Sequence, residues 1–314
     1  MTRFHFGFVV SALLIFIFSL GISHALTQYS SAPSYTPHRV YDSGQKRFID
    51  FESLALALAR ADVVFVGEQH DDPATHRMEL AILEGVARRR GSVILAMEMF
   101  ERDTQAAMDR YAAGEISEVE FLSASRPWNN YATDYRPLIE FAKAQKWQSP
   151  IASNMPRRLA GDVARNGLAA LDEMDTNDRG FVAANIMCPR DDYFRRFTEA
   201  MQIMGEANAT HTISVPQILR LYQAQCAKDE TMAESVATAW KPGGLIVHIN
   251  GAFHSDFRLG VFERTKKRLR HAHVRVVTII PVENLDGLKP TRKDRKQADY
   301  ILYVLKPASS DAGH

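Results

Sequence analysis

Cysteine is nearly missing from this chain: Cys188 and Cys226 are the only two in 314 residues. Two residues cannot supply a multi-bridge disulfide framework or the ligand set of a cysteine zinc ribbon. What remains for them is one bridge in an oxidising compartment, or two buried thiols packed as small hydrophobes. Charge of one sign is lacking as well. Lys and Arg number 38 against 37 Asp and Glu, a net charge of +1, so no electrostatic footprint points to a nucleic-acid partner. The one basic cluster, Arg264 to Arg275, reads as a solvated helix face followed by a strand.

Several catalytic signatures are also absent. No Gly-x-Gly-x-x-Gly or phosphate loop follows the first strand of the core, which removes a nucleotide site. No Gly-x-Ser-x-Gly elbow occurs, which removes the usual serine hydrolase. His70 and His76 are six apart and no His-Glu-x-x-His is present, so the metalloprotease helix fails too. Internal repeats are lacking.

The chain does have a hydrophobic content of 46%, enough to bury a large core. Its N-terminus is of the export type: Arg3 precedes the almost wholly apolar run Phe6 to Ile22, and Ser23-His24-Ala25 ends in small residues. Residues 1–25 are therefore expected to be a signal peptide, and the protein to reach the periplasm or cell envelope. The apolar run is also just long enough to stay as an uncleaved membrane anchor. No cysteine follows it, so there is no lipoprotein signal. Residues 26–45, rich at first in Ser, Pro, Tyr and Thr, read as a flexible tether.

The core begins with a helix ending near Arg60 and the strand Val63-Val64-Phe65-Val66. That run is apolar on both faces and stops at Gly67, as in a buried parallel strand. Asp72-Pro73 then starts a helix reaching Arg90, since Asp suits an N-cap and Pro the first helical position. Gly91 ends it, and Ser92 to Met97 forms a second strand, giving a parallel βαβ unit. Helices follow over Arg102 to Ala113, Ile116 to Ser123 and Tyr135 to Trp147, and Pro150 to Ser153 is a third strand. From Leu159 to Trp240 the pattern is helical only. Strands return at Leu245 to Asn250, Val274 to Val282 and Tyr300 to Leu305. The fold class is α/β: a mostly parallel central sheet flanked by helices, with a small all-helical subdomain inserted at 159–240 between core segments 46–158 and 241–306. Residues 307–314 read as a frayed tail.

Placed on this map, Glu68 and His70, Glu98, Asn154, and Asn250 with His254 each fall just past the carboxyl end of a strand. In an open parallel sheet ligands bind along that edge. Neutral imidazoles with carboxylates suit a divalent transition metal, with His70, Glu98 and His254 as ligands and Glu68 or Glu98 as general base for hydrolysis. The same imidazoles could serve iron porphyrin, which needs an apolar slot, an axial His or Tyr and cations for its propionates. Tyr131, Tyr135, Asn154, Arg157 and Arg158 lie in position for that. His248 reads as a satisfied core histidine, and His76 as a surface or outer residue rather than a ligand.

The ordered set Gly67-Glu68-Gln69-His70, Glu98-Met99-Phe100, Asn154-Met155-Pro156-Arg157, Gln225 with Asp229 and Met232-Ala233, and Asn250-Gly251-Ala252-Phe253-His254 resembles the ChaN-like haem-binding-uptake family of the Tiki and erythromycin-esterase-like superfamily. The resemblance runs from about Leu54 to Val282. It implies an α/β core with a small helical domain and, for the ChaN branch, exported or envelope-attached proteins that bind haem for iron acquisition, with a tyrosine as iron ligand, here Tyr131 or Tyr135. Other branches of the superfamily imply hydrolases, some metal-dependent, built on the positions of Glu68, His70, Glu98 and His254. Haem, a second copy of the chain and an envelope or membrane partner are the expected partners.

Overall fold

A hairpin forms one edge of the sheet: β1 (His38–Asp42) and β2 (Arg47–Ile49) pair antiparallel. The computed structural model describes residues 35–207 and 214–306. The expectations for a signal peptide at 1–25 and a frayed tail at 307–314 lie outside them. The tether expected over 26–45 ends sooner than its composition suggests, because Val40, Tyr41 and Asp42 of β1 are buried. β1 is held on its other side by the last strand, β8 (Tyr300–Leu305), in antiparallel register.

After α1 (Phe51–Leu58) come β3 (Val63–Glu68), α2 (Pro73–Arg90) and β4 (Ile94–Glu101). Asp72 caps α2 by accepting from the Thr75 amide at 2.8 Å, with Pro73 at the first helical position. Next come α3 (Gln105–Ala112), α4 (Glu118–Ser125), α5 (Arg136–Ala144) and the short β5 (Ile151–Asn154). Four helices fill the chain up to the next strand: α6 (Arg157–Asn166), α7 (Thr176–Gly180), α8 (Asp192–Ala207) and α9 (Val215–Ala239). Then β6 (Ile246–Gly251), α10 (Gly260–Arg268), β7 (Val274–Val282), α11 (Asp294–Gln297) and β8 complete the described chain. Cys188 and Cys226 are joined in a disulfide that ties the segment before α8 to α9. Among the described residues no helix is long and apolar enough to cross a membrane.

The sheet has eight strands in the order β2-β1-β8-β7-β3-β6-β4-β5. From β8 to β5 every pairing is parallel. Two details of this arrangement position the site. β6, late in the chain, is threaded between the early strands β3 and β4, so three carboxyl ends lie side by side. The pleat then sorts the side chains: Val64 and Val66 join the core layer under α2 and α5, whereas Val63, Phe65 and Ala96 join the layer under α9 and α10. By the same two-residue period, Glu68 emerges on the α2 side and Glu98 on the α9 side.

The basic cluster departs from the solvated face expected of it. Arg264 is 3% exposed and its guanidinium lies 3.3 Å from Glu230. A buried guanidinium needs such a partner, and α9 supplies it.

Candidate functional site

Glu68, the last residue of β3, is buried, and every group that meets its carboxylate comes from the α2 side. Tyr135 donates its hydroxyl to Oε1 at 2.9 Å, and His70 donates Nδ1–H to the same oxygen. Oε2 lies 3.2 Å from Nδ1 of His76. Burial alone would raise the pKa of Glu68, but the bond from His70 and the imidazole of His76 beside Oε2 outweigh it and hold the carboxyl well below its usual range. His76 itself is 4% exposed and lies 3.2 Å from Glu79, which is fully buried one helical turn on. His76 is therefore not at the surface; it stands behind Glu68, the outer of the two positions expected for it. Burial opposes its charge, yet Glu68 and Glu79 together push its pKa up to about 11. Burial, reinforced by the charge of Glu68, pushes Glu79 well above the ordinary carboxylate value.

The α9 side carries a second cluster. His254, in a short 3-10 turn after β6, has Nδ1 at 2.7 Å from Asp229 and Nε2 at 3.1 Å from Glu98. With a carboxylate at each nitrogen, both ring nitrogens are donors and the ring is an imidazolium. Burial would lower its pKa, but the charges of Glu98 and Asp229 raise it to about 10. Glu98 in turn is held down to about 2, against its own burial, by His254 and by the Gly251 amide, which donates to Oε2 at 2.8 Å. Ligation of a metal by His254 would need that ion to replace the Glu98 bond.

His70 bridges the two clusters across the strand ends. Its side chain is 41% exposed, and its ring packs edge-on against Trp128 at 4.9 Å between centroids. Nε2 hangs over Gly251: a Cβ added there would lie 2.7 Å from Nε2 and 3.6 Å from Oε2 of Glu98. Glycine at 251 thus creates the gap in which His70 and Glu98 approach. Burial works against a charge on His70, but Glu68 and Glu98 raise its pKa overall.

The other expected site residues divide. Tyr135 touches the cluster through Glu68, whereas Tyr131 is packed among Phe100 and Phe121, and its buried hydroxyl has no hydrogen-bond partner. Asn154 is spent on structure, donating to the Glu98 carbonyl at 3.0 Å and accepting from the Met155 amide at 2.8 Å. Arg157 is a surface residue with its side chain 70% exposed, 3.9 Å from Glu101. Glu79, Asp134 and Trp128 were not singled out by their sequence. The His76-x-x-Glu79 spacing, which stacks both on one face of α2, was the available signal.

His248 is fully buried in β6; its Nδ1 lies 3.1 Å from Oδ1 of Asn250 and its Nε2 2.9 Å from the Ser153 hydroxyl. Burial lowers its pKa to about 4. An unfolded imidazole takes its proton near 6.5, so stability present above that value is lost as pH falls toward 4. The unfolding free energy is expected to drop by about 2 kcal/mol between pH 7 and pH 5 on this account. His248→Gln, followed by urea unfolding at both pH values, should lose that part of the slope; an unchanged slope would assign it to other groups.

A family model described as "haem-binding uptake, Tiki superfamily, ChaN" matches residues 54–265. The chain belongs to this family. Among solved structures, the ChaN-family chain is similar to a Campylobacter jejuni ChaN described by cofacial haem binding, at TM-score 0.62 and 15% identity, covering 85% of this chain and 96% of that one. It also matches an erythromycin esterase mutant in its open conformation at TM-score 0.49 and 10% identity, covering 87% and 99% of the two chains. No curated protein matches its sequence. The Campylobacter likeness establishes the same α/β fold with its mostly parallel sheet.

Proposed function

We propose that this ChaN-family protein is an exported haem binder serving haem or iron uptake, with haem held at the carboxyl edge of β3, β4 and β6 beside His70. The observation that carries this reading is the state of His70. Its Nδ1–H is committed to Glu68, and its Nε2 makes no hydrogen bond to any described residue and faces the gap left by Gly251. A carboxylate behind an imidazole fixes the tautomer and strengthens the other nitrogen as a donor to iron. The bound group would supply an iron centre able to accept the His70 nitrogen. The chain's own part is to orient the donor, and to present the edge of Trp128 as an apolar wall.

The tyrosines fit an axial role less well in this arrangement. Tyr131 and Tyr135 are 3% and 1% exposed, and burial pushes both phenols up, away from the phenolate that iron prefers. His70 is 41% exposed on an open edge, where a second copy of the chain is the expected partner. Support for export comes from the apolar N-terminus and from the Cys188–Cys226 bridge, which belongs in an oxidising compartment.

Haem titration tests the reading. Purified protein, recovered from the cell envelope with its N-terminus mapped by mass spectrometry, is expected to give a shifted Soret band saturating at one haem per chain. No spectral shift at micromolar haem, or recovery from the cytosol only, would overturn it. The approach of His70 and Glu98 over Gly251, with His254 on the other oxygen of Glu98, favours metal-dependent hydrolysis as a second reading. In that case metal-supplemented protein would cleave esters or peptides and His254→Ala would not.

A further inference from the structure

The structure assigns a second ligand site: we propose that Glu68, His76 and Glu79 bind one divalent first-row transition ion beneath the haem edge, on the α2 side of the sheet. This does not depend on the haem reading and uses a different histidine from the Glu98 and His254 cluster.

The tautomer of His76 carries the inference. Its Nε2 lies 3.1 Å from the His70 carbonyl oxygen and 3.4 Å from Oδ2 of Asp134, and both are acceptors. Nε2 must therefore hold the ring proton, which leaves Nδ1 as the position for a lone pair or an added charge. Nδ1 points between two carboxylates, 3.2 Å from Glu68 Oε2 and 3.2 Å from Glu79 Oε2. A bare lone pair there would face negative charge from both sides. A proton on Nδ1 can bond to Glu79 but leaves Glu68 Oε2 with no hydrogen-bond partner, and Glu79 Oε1 has none either. Both glutamates are at least nine-tenths buried, at 2% and 0% exposure, where water does not replace a missing partner. One cation shared by the three residues would take one donor atom from each and give Glu68 Oε2 a partner.

The spacing fits as well. The three ligand atoms lie within 4.8 Å of one another, and their measured separations of 3.2 Å from the imidazole match the roughly 3.3 Å edge of a tetrahedron of donors bonded at about 2.0–2.2 Å. The bond from Nε2–H to a backbone carbonyl is the usual outer support of a ligating histidine. One nitrogen and two carboxylates suit zinc, manganese, iron or cobalt rather than a thiolate-seeking ion. Binding would displace the Nδ1 proton, so each ion taken up should release about one proton near neutral pH.

Cobalt(II) is the probe. Haem-free protein is expected to bind one equivalent with visible d–d absorption and proton release. Glu79→Gln, which keeps the shape of the buried side chain, should weaken this at least 10-fold, and His254→Ala should leave it unchanged. Nitrogen-15 spectra of wild-type histidines give a second readout that does not depend on a variant folding: the Nδ1 resonance of His76 should move on metal addition. Absence of cobalt binding, or binding lost in His254→Ala and retained in Glu79→Gln, would overturn the proposal.

Discussion

Replacing His70 with alanine is expected to weaken haem binding about 100-fold, equivalent to about 2.7 kcal/mol, while leaving the fold in place. The side chain is 41% exposed, but its removal takes one bond from the buried Glu68 carboxylate, which keeps that from Tyr135, so the unfolding free energy should fall by about 1 kcal/mol. Gly251→Ala makes the same test from the other side of the gap. The new methyl would sit 2.7 Å from Nε2 of His70, at the free end of a side chain able to swing away. The expected result is a folded protein with His70 displaced and haem affinity lowered by a comparable factor. Soret titration of both variants checks this. Wild-type affinity in both would remove His70 from the site, and a loss appearing in Tyr135→Phe instead would move the iron to the phenol.

The largest effect on stability is expected at Gly260. Its φ of +52° lies in the left-handed region, and an added Cβ would lie 2.2 Å from the carbonyl oxygen of His254. The obstacle is backbone, in a stretch where Phe257 and Arg258 also have positive φ, so there is no flexible side chain to give way. Strain of about 1–3 kcal/mol for the conformation adds to a similar cost of overpacking, and Gly260→Ala should lose about 4 kcal/mol in equilibrium urea unfolding. The loss should fall on the His254 turn, so the shift in the His254 imidazole resonance should accompany it. A destabilisation below about 1 kcal/mol would mean that the turn relaxes and that His254 is not rigidly placed.

The central strands were legible because burial on both faces leaves unbroken apolar runs. β3, β4, β6, β7 and β8 each announce themselves this way, and Asp72-Pro73 and Gly91 bracket α2 by simple capping chemistry. β1 and β2 did not. Short strands of mixed polarity, such as His38 to Asp42 and Arg47 to Ile49, resemble loop; pairing with the distant β8 makes β1 a strand, and β2 then forms the edge against β1.

The candidate site was legible as an edge and not as two separate clusters. The residues Glu68, His70, Glu98 and His254 could be placed at strand ends, but the face each would meet depends on register. A polar pair such as His76 and Glu79 looks like the wet side of an amphipathic helix until a third buried group explains it. Tyr131 and Tyr135 illustrate another limit. At a spacing of four they would share a face of an α-helix, but residues 131–135 form a π-helical turn. One ring goes to Phe100 and Phe121, the other to Glu68. Arg264 escaped notice for a similar reason, since its partner Glu230 lies on another helix.

The threading of β6 between β3 and β4 has a temporal consequence. A chain made from its amino end displays Glu68, His70 and Glu98 long before Gly251 and His254 exist, and β3 and β4 cannot take their final spacing until β6 arrives. Pairings this remote in sequence close slowly. A nascent or carboxyl-truncated chain therefore holds Glu98 without the Gly251 amide and the His254 ring that complete its cluster. The half of the site that faces α9 is therefore a product of the finished fold and not of the first βαβ unit.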